Sequence, residues 1–230
     1  MENWKNVCFL LTTDHEPVRK YIEDNGGIIT SIADTKEFYD VAVFTPGAQP
    51  SPFFYGEMRR PEVFVDINRD LTEARLYREI PEKTPKIGIG RGAQFLNIMN
   101  GGGAWQKSYG HMVEHMLLDF MSGDTFYVTS NHNDEMIPGP GAAILAGARA
   151  SDRKLTDKAA YSIDLPDAHK NNKWDDTEVA FYELSNSFCF QPRPDFVFAG
   201  GTKAQLAAAE ATRELFEGYY DDWVAPKIKV

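Results

Sequence analysis

The stretch KIGIGRGAQFLN, residues 86–97, constrains this chain more than any other. An apolar run passes through alternating glycines into a helix-forming sequence, the pattern of a β-strand that turns sharply into an α-helix. Glycines at 88 and 92, four apart, let backbone segments approach closely enough for that turn. The residue between them is then held over the carboxyl edge of a sheet, where many α/β enzymes mount a nucleophile. Here that residue is Gly90, which has no side chain to offer. A dinucleotide-type G-x-G-x-x-G turn does not fit, because Gly88, Gly90 and Gly92 close one residue early.

The flanking sequence predicts an α/β domain with a mostly parallel sheet flanked by helices. NVCFLLTT (6–13), DVAVFTPG (40–47) and PKIGIG (85–90) read as buried strands. HEPVRKYIEDNGG (15–27) and NRDLTEARLYREI (68–80) read as helices, the second with Leu71, Ala74, Tyr77 and Ile80 on one face. RGAQFLNIM continues from the turn as a helix that three glycines end. DTFYVTSNH, AAILAGARAS, EVAFYEL and NSFCFQP supply four further strands, and the polar run PDAHKNNKWDDTE (166–178) reads as a surface loop. A closing helix and tail span about 202–230, with Thr202 as N-cap. At 230 residues, one domain can enclose all of this.

The charge balance excludes one class of partner. A net charge of -10 and a pI near 5.0, with no basic cluster, leave nothing to neutralise a nucleic-acid backbone. No apolar run reaches the ~18 residues of a membrane span, and MENWKN lacks the regions of a signal peptide, so a cytoplasmic protein is expected. Cys8 and Cys189, both inside apolar runs, read as buried thiols of a reducing compartment.

Residues 88–106, GIGRGAQFLNIMNGGGAWQ, resemble the nucleophile segment of class I glutamine amidotransferases, and most closely the γ-glutamyl hydrolase (peptidase C26-like) branch, G-I-C-R-G-x-Q-x-x-N-x-x-x-G-G-x-x-x-Q. TPGAQPSPFFYGE (45–57) is similar to that branch's oxyanion and substrate loops. Arg69, Asp70, Glu73 and Leu76 match its R-D-x-x-E-x-x-L helix. TSNHNDEMIP (129–138) and FCFQPRPDF (188–196) resemble its S-x-H-H-Q and Q-x-H-P-E segments, so the likeness runs from about residue 5 to 217. It implies a flavodoxin-like sheet and amide cleavage by a cysteine thiolate, with a histidine base oriented by a glutamate. In this chain those three positions are Gly90, Arg193 and Asp195. Glycine cannot attack, and a guanidinium offers donors only and cannot act as a base.

The resemblance therefore implies a pseudoenzyme that needs no cofactor, in which Gly47, Ala48, Glu57, Arg91, Gln94 and His132 line the former pocket. Backbone N–H groups and the two arginines would suit a small anionic metabolite, unless Arg193 and Asp195 close a salt bridge that plugs it. A partner enzyme regulated through the cleft is the other expectation. The alternative is a hydrolase or amidotransferase with rebuilt chemistry. It would use Cys189 as a relocated nucleophile, or the sequence HMVEH, whose His111, Glu114 and His115 match an inverted zinc-peptidase signature that lacks an identified third ligand.

Overall fold

The computed structural model describes residues 4–31, 38–106, 111–112, 114–148 and 176–228. Five strands form a parallel half-sheet in the order β2-β1-β3-β4-β11: β1 (Cys8–Leu11), β2 (Ile28–Ser31), β3 (Val41–Phe44), β4 (Lys86–Ile89) and β11 (Ser187–Phe190). This is the flavodoxin-like 2-1-3-4-5 order, whose ligand crevice lies beyond the carboxyl ends of the strands. The sheet continues in antiparallel pairing through β10 (Asp176–Tyr182), β9 (Ala142–Ala148), β6 (His115–Asp119) and β7 (Thr125–Val128). A short ribbon of β5 (Gly103–Trp105) and β8 (Glu135–Ile137) attaches through β10. The α/β fold with a central sheet flanked by helices is as the sequence led us to expect.

Side-chain alternation sorts the core into two layers. Phe9, Leu11, Val41, Val43, Ile87, Ile89, Phe188 and Phe190 face one side. There they meet Val18 and Ile22 of α1 (Glu16–Asp24) and Leu215, Phe216 and Tyr219 of α4 (Lys203–Tyr219). Ala42, Phe44 and Cys189 face the other, against Ala74 of α2 (Ile67–Glu79) and Ala93, Phe95 and Leu96 of α3 (Arg91–Met99). Thr202 caps α4 in a reciprocal capping box with Gln205. The chain beyond α4 packs on its own domain, since Tyr220 and Val224 are buried in the first layer and Trp223 meets the Phe181 ring at 5.1 Å.

Three sequence expectations change. Ile28–Ser31 forms β2, a strand that the sequence reading did not include. Leu71 is exposed; the inward face of α2 carries Asp70, Glu73, Ala74 and Leu76. In the polar run 166–178, residues 166–175 lie outside the described residues, whereas Asp176, Thr177 and Glu178 open β10 and are buried.

Candidate functional site: a glycine elbow beside a buried histidine cluster

The turn from β4 into α3 has the geometry its glycines foretold. A Cβ at Gly88 would lie 2.4 Å from the Gly92 carbonyl oxygen, and one at Gly92 would lie 1.9 Å from that of Phe44, so both positions exclude side chains. Gly90 sits at φ 56° and ψ -116°, a strained elbow conformation that glycine adopts without steric penalty. A Cβ at Gly90 would point at Arg193, 3.2 Å from its Cδ. Arg193 donates through Nε and Nη2 to the two carboxylate oxygens of Asp195, at 2.8 and 2.6 Å, and its guanidinium lies 4.3 Å from the Phe196 ring centroid. Arg213 fixes this loop by donating to the carbonyls of Pro194 and Phe196 at 3.0 and 2.8 Å. His15 approaches Asp195 to 3.9 Å, but its Nδ1 accepts from the Val18 amide and caps α1.

A second ionic group fills the crevice behind the elbow. Arg91 is buried and pairs with both Asp70 and Glu73 of α2, stacked 4.7 Å from the Phe95 ring centroid. Glu73 also accepts from the hydroxyls of Thr12 and Thr13 and from Nε of Arg69. Arg69 reaches on to the carbonyls of Thr45 and Pro46 at 2.7 and 2.9 Å, holding the Gly47–Ala48 loop, and a Cβ at Gly47 would meet its Nη1 at 2.3 Å. The charge of Arg91 is thus turned inward onto α2. Gln94 donates to the Asp134 carbonyl at 2.8 Å, and half-buried Glu57 accepts from Gln106 at 3.2 Å.

Beyond the elbow, three imidazoles converge on one carboxylate. His111 Nδ1, His115 Nε2 and His132 Nε2 stand 2.9, 3.3 and 3.2 Å from Oε1 of Glu178, which is fully buried on β10. The His111 ring centroid is 4.4 Å from that of His115 and 4.8 Å from that of His132. His111 Nε2 faces outward to Asp176 at 3.1 Å and Glu135 at 3.4 Å. His132 Nδ1 lies 3.1 Å from the Asp134 carbonyl, and Nε2 of Gln191 approaches its two ring nitrogens to 2.6 and 3.0 Å. Burial pushes the His132 imidazole below its ordinary pKa, which favours the neutral ring. One donor atom from each of His111, His115, His132 and Glu178 can be chosen so that all four lie within 4.8 Å of one another, close enough to share a metal ion.

The segment 26–138 matches the Peptidase C26 family model. Solved structures extend the likeness over nearly the whole chain at low sequence identity. A glutamine amidotransferase of Methylobacillus flagellatus superposes with TM-score 0.58 at 11% identity, over 98% of this chain and 96% of that one. One from Thermotoga maritima gives 0.55 at 15%, over 97% and 86%. A protein of Thermoplasma acidophilum described as one of the subunits of GMP synthase gives 0.56 at 12%, over 94% and 96%. The chain shares the fold of these glutamine amidotransferases, and the segment 26–138 carries the sequence likeness to Peptidase C26. No curated protein matches it in sequence.

The two candidates for rebuilt chemistry fare differently. Cys189 is fully buried among the α3-side apolar residues, and burial pushes its thiol upward, which disfavours the thiolate near neutral pH. His111 and His115 do converge, but on Glu178 and His132 and not on Glu114; His111 lies in a loop and His115 opens β6. The sequence therefore pointed to His111 and His115 of this group and missed Glu178, Asp176 and Glu135. Asp176 and Glu178 stand two apart at the head of an otherwise apolar strand, an inward-facing acidic pair whose only signal was its position beside VAFY.

Proposed function

We propose that this chain is a superfamily member that has given up acyl transfer at the elbow and acts by binding a partner protein. The observation that carries the reading is the Arg193–Asp195 pair beside Gly90, the arginine's Cδ lying 3.2 Å from where a Cβ at the elbow would stand. A nucleophile is missing, and the neighbouring guanidinium can only donate protons. Both cleft arginines are neutralised internally, Arg193 by Asp195 and Arg91 by Asp70 and Glu73, which weakens the case for a free anionic metabolite. Phe53 of the substrate-loop segment and Met58 and Phe64 just beyond it are exposed to solvent, apolar surface of a kind that partners cover. The structural neighbour from Thermoplasma acidophilum is itself described as part of a multi-subunit synthase.

The reading is tested by incubating the purified chain with glutamine and with γ-glutamyl amides and measuring glutamate and ammonia. Wild type should match a protein-free control, and turnover above it would overturn the proposal. The triple variant Gly90→Cys, Arg193→His, Asp195→Glu should form glutamate slowly, because the surrounding turn is retained.

A further inference from the structure

We propose that His111, His115, His132 and Glu178 form a binding site for one divalent transition-metal ion of the zinc type, which staples the 111–132 region to β10. This goes beyond the loss of acyl transfer and stands whether or not the elbow is active.

Three imidazoles crowd a single buried carboxylate. Oε1 of Glu178 has two lone pairs, yet three imidazole nitrogens surround it at 2.9–3.3 Å. Nε2 of His132 is also 3.2 Å from Oε2, so the carboxylate faces the three rings with both of its oxygens. The same separations match the edge of a tetrahedron of ligands around an ion, about 3.3 Å when metal–ligand bonds are about 2.0–2.1 Å. Small rotations close the remaining gaps, since the four donor atoms already lie within 4.8 Å of one another.

The outer contacts fit the same assignment. Nε2 of His111 faces two carboxylate acceptors, Asp176 and Glu135, so it carries a proton and leaves Nδ1 to ligate. With its proton on Nδ1, His132 would donate to the Asp134 carbonyl at 3.1 Å and leave Nε2 to ligate, the Gln191 amide that now stands 2.6 and 3.0 Å from the two ring nitrogens moving aside. Such outer acceptors fix the ring orientation of metal-binding histidines. Glu178 is fully buried, and a carboxylate taken out of water is compensated by cationic rings or by a metal. Three nitrogens and one oxygen select a borderline ion such as Zn2+ over Ca2+ or Mg2+, which take oxygen ligands. Four protein ligands make a closed site of the structural kind.

The test uses the full-length chain without an affinity tag, stripped with chelator and titrated with Zn2+ by calorimetry, with Co2+ absorption as a report of geometry. One equivalent should bind, Co2+ should give the intense visible bands of a four-coordinate site, and at a hundredfold excess over Kd the melting temperature should rise by roughly 5–10 °C. His132→Ala and Glu178→Gln should each weaken Zn2+ binding by more than about 100-fold, beyond the ~10–100-fold that outer-shell changes cost. His115→Ala, at a partly exposed position where folding is least at risk, should do the same, while His15→Ala should bind as wild type. Absence of Zn2+ uptake by folded wild type would overturn the proposal. So would uptake that His115→Ala and Glu178→Gln leave unchanged.

Discussion

Arg193 and Asp195 form a bidentate ion pair, with bonds of 2.8 and 2.6 Å, directly in front of the elbow glycine. Both side chains are almost wholly buried, so each is the other's principal compensation for lost water. Asp195→Asn keeps the shape and strands the guanidinium. It should lower unfolding stability by about 3–5 kcal/mol, whereas Arg193→Met combined with Asp195→Leu should cost much less. Urea denaturation of the two variants checks the contrast, and equal losses would show that the charges themselves do not matter.

The two kinds of elbow glycine should respond differently to alanine. At Gly92 a methyl would collide with the Phe44 backbone at 1.9 Å, and backbone cannot rotate away. Gly92→Ala should lose more than about 4 kcal/mol or fail to fold. At Gly90 the nearest atom is a flexible arginine methylene at 3.2 Å, so Gly90→Ala should cost only the strain of its backbone angles, about 1–3 kcal/mol. Thermal unfolding measured by circular dichroism would rank them.

Lys86 places a buried ammonium at the start of β4 within reach of four carbonyls: Pro81, Glu82, Thr84 and Ser185, at 3.0–3.4 Å. It ties the turn before β4 to the turn before β11. Lys86→Met fills the same space and leaves those oxygens without their shared donor, so stability should fall by about 2–4 kcal/mol. A variant as stable as wild type would mean that the carbonyls are satisfied without it.

Cys189 should resist alkylation in the folded chain. Burial raises its thiol pKa, so the thiolate fraction at any given pH is smaller than for a free cysteine, and raising the pH to 9 should not expose it. Iodoacetamide followed by intact mass should add at most one group to native protein, at half-buried Cys8, and two after denaturation. Rapid labelling of native Cys189 would reopen its candidacy as a nucleophile.

How far the sequence reached depended on how local the signal was. The β4–α3 turn was legible because three glycines and an apolar strand encode it within a dozen residues. The Arg193–Asp195 pair was legible as one of two alternatives, since neighbours two apart on an extended chain share a face. The orientation of Arg91 was not legible, because Asp70 and Glu73 lie about twenty residues away and their inward face is hidden in a helix whose apolar spacing suggested Leu71. The histidine cluster was half legible: HMVEH flagged His111 and His115. His132 and Glu178 joined them only through pairing of β10 with β9 and packing of the loop after β7, relationships that no local pattern carries.

The most direct test of the glycine elbow is covalent. A glutamine mimic with an electrophilic diazoketone alkylates the nucleophile of a working amidotransferase-type site and leaves a mass increment. Intact mass spectrometry of the wild-type chain after exposure should show no adduct, while Gly90→Cys with Arg193→His should gain one that peptide mapping places at residue 90. A stoichiometric adduct on the wild-type chain, blocked by excess glutamine, would contradict the account.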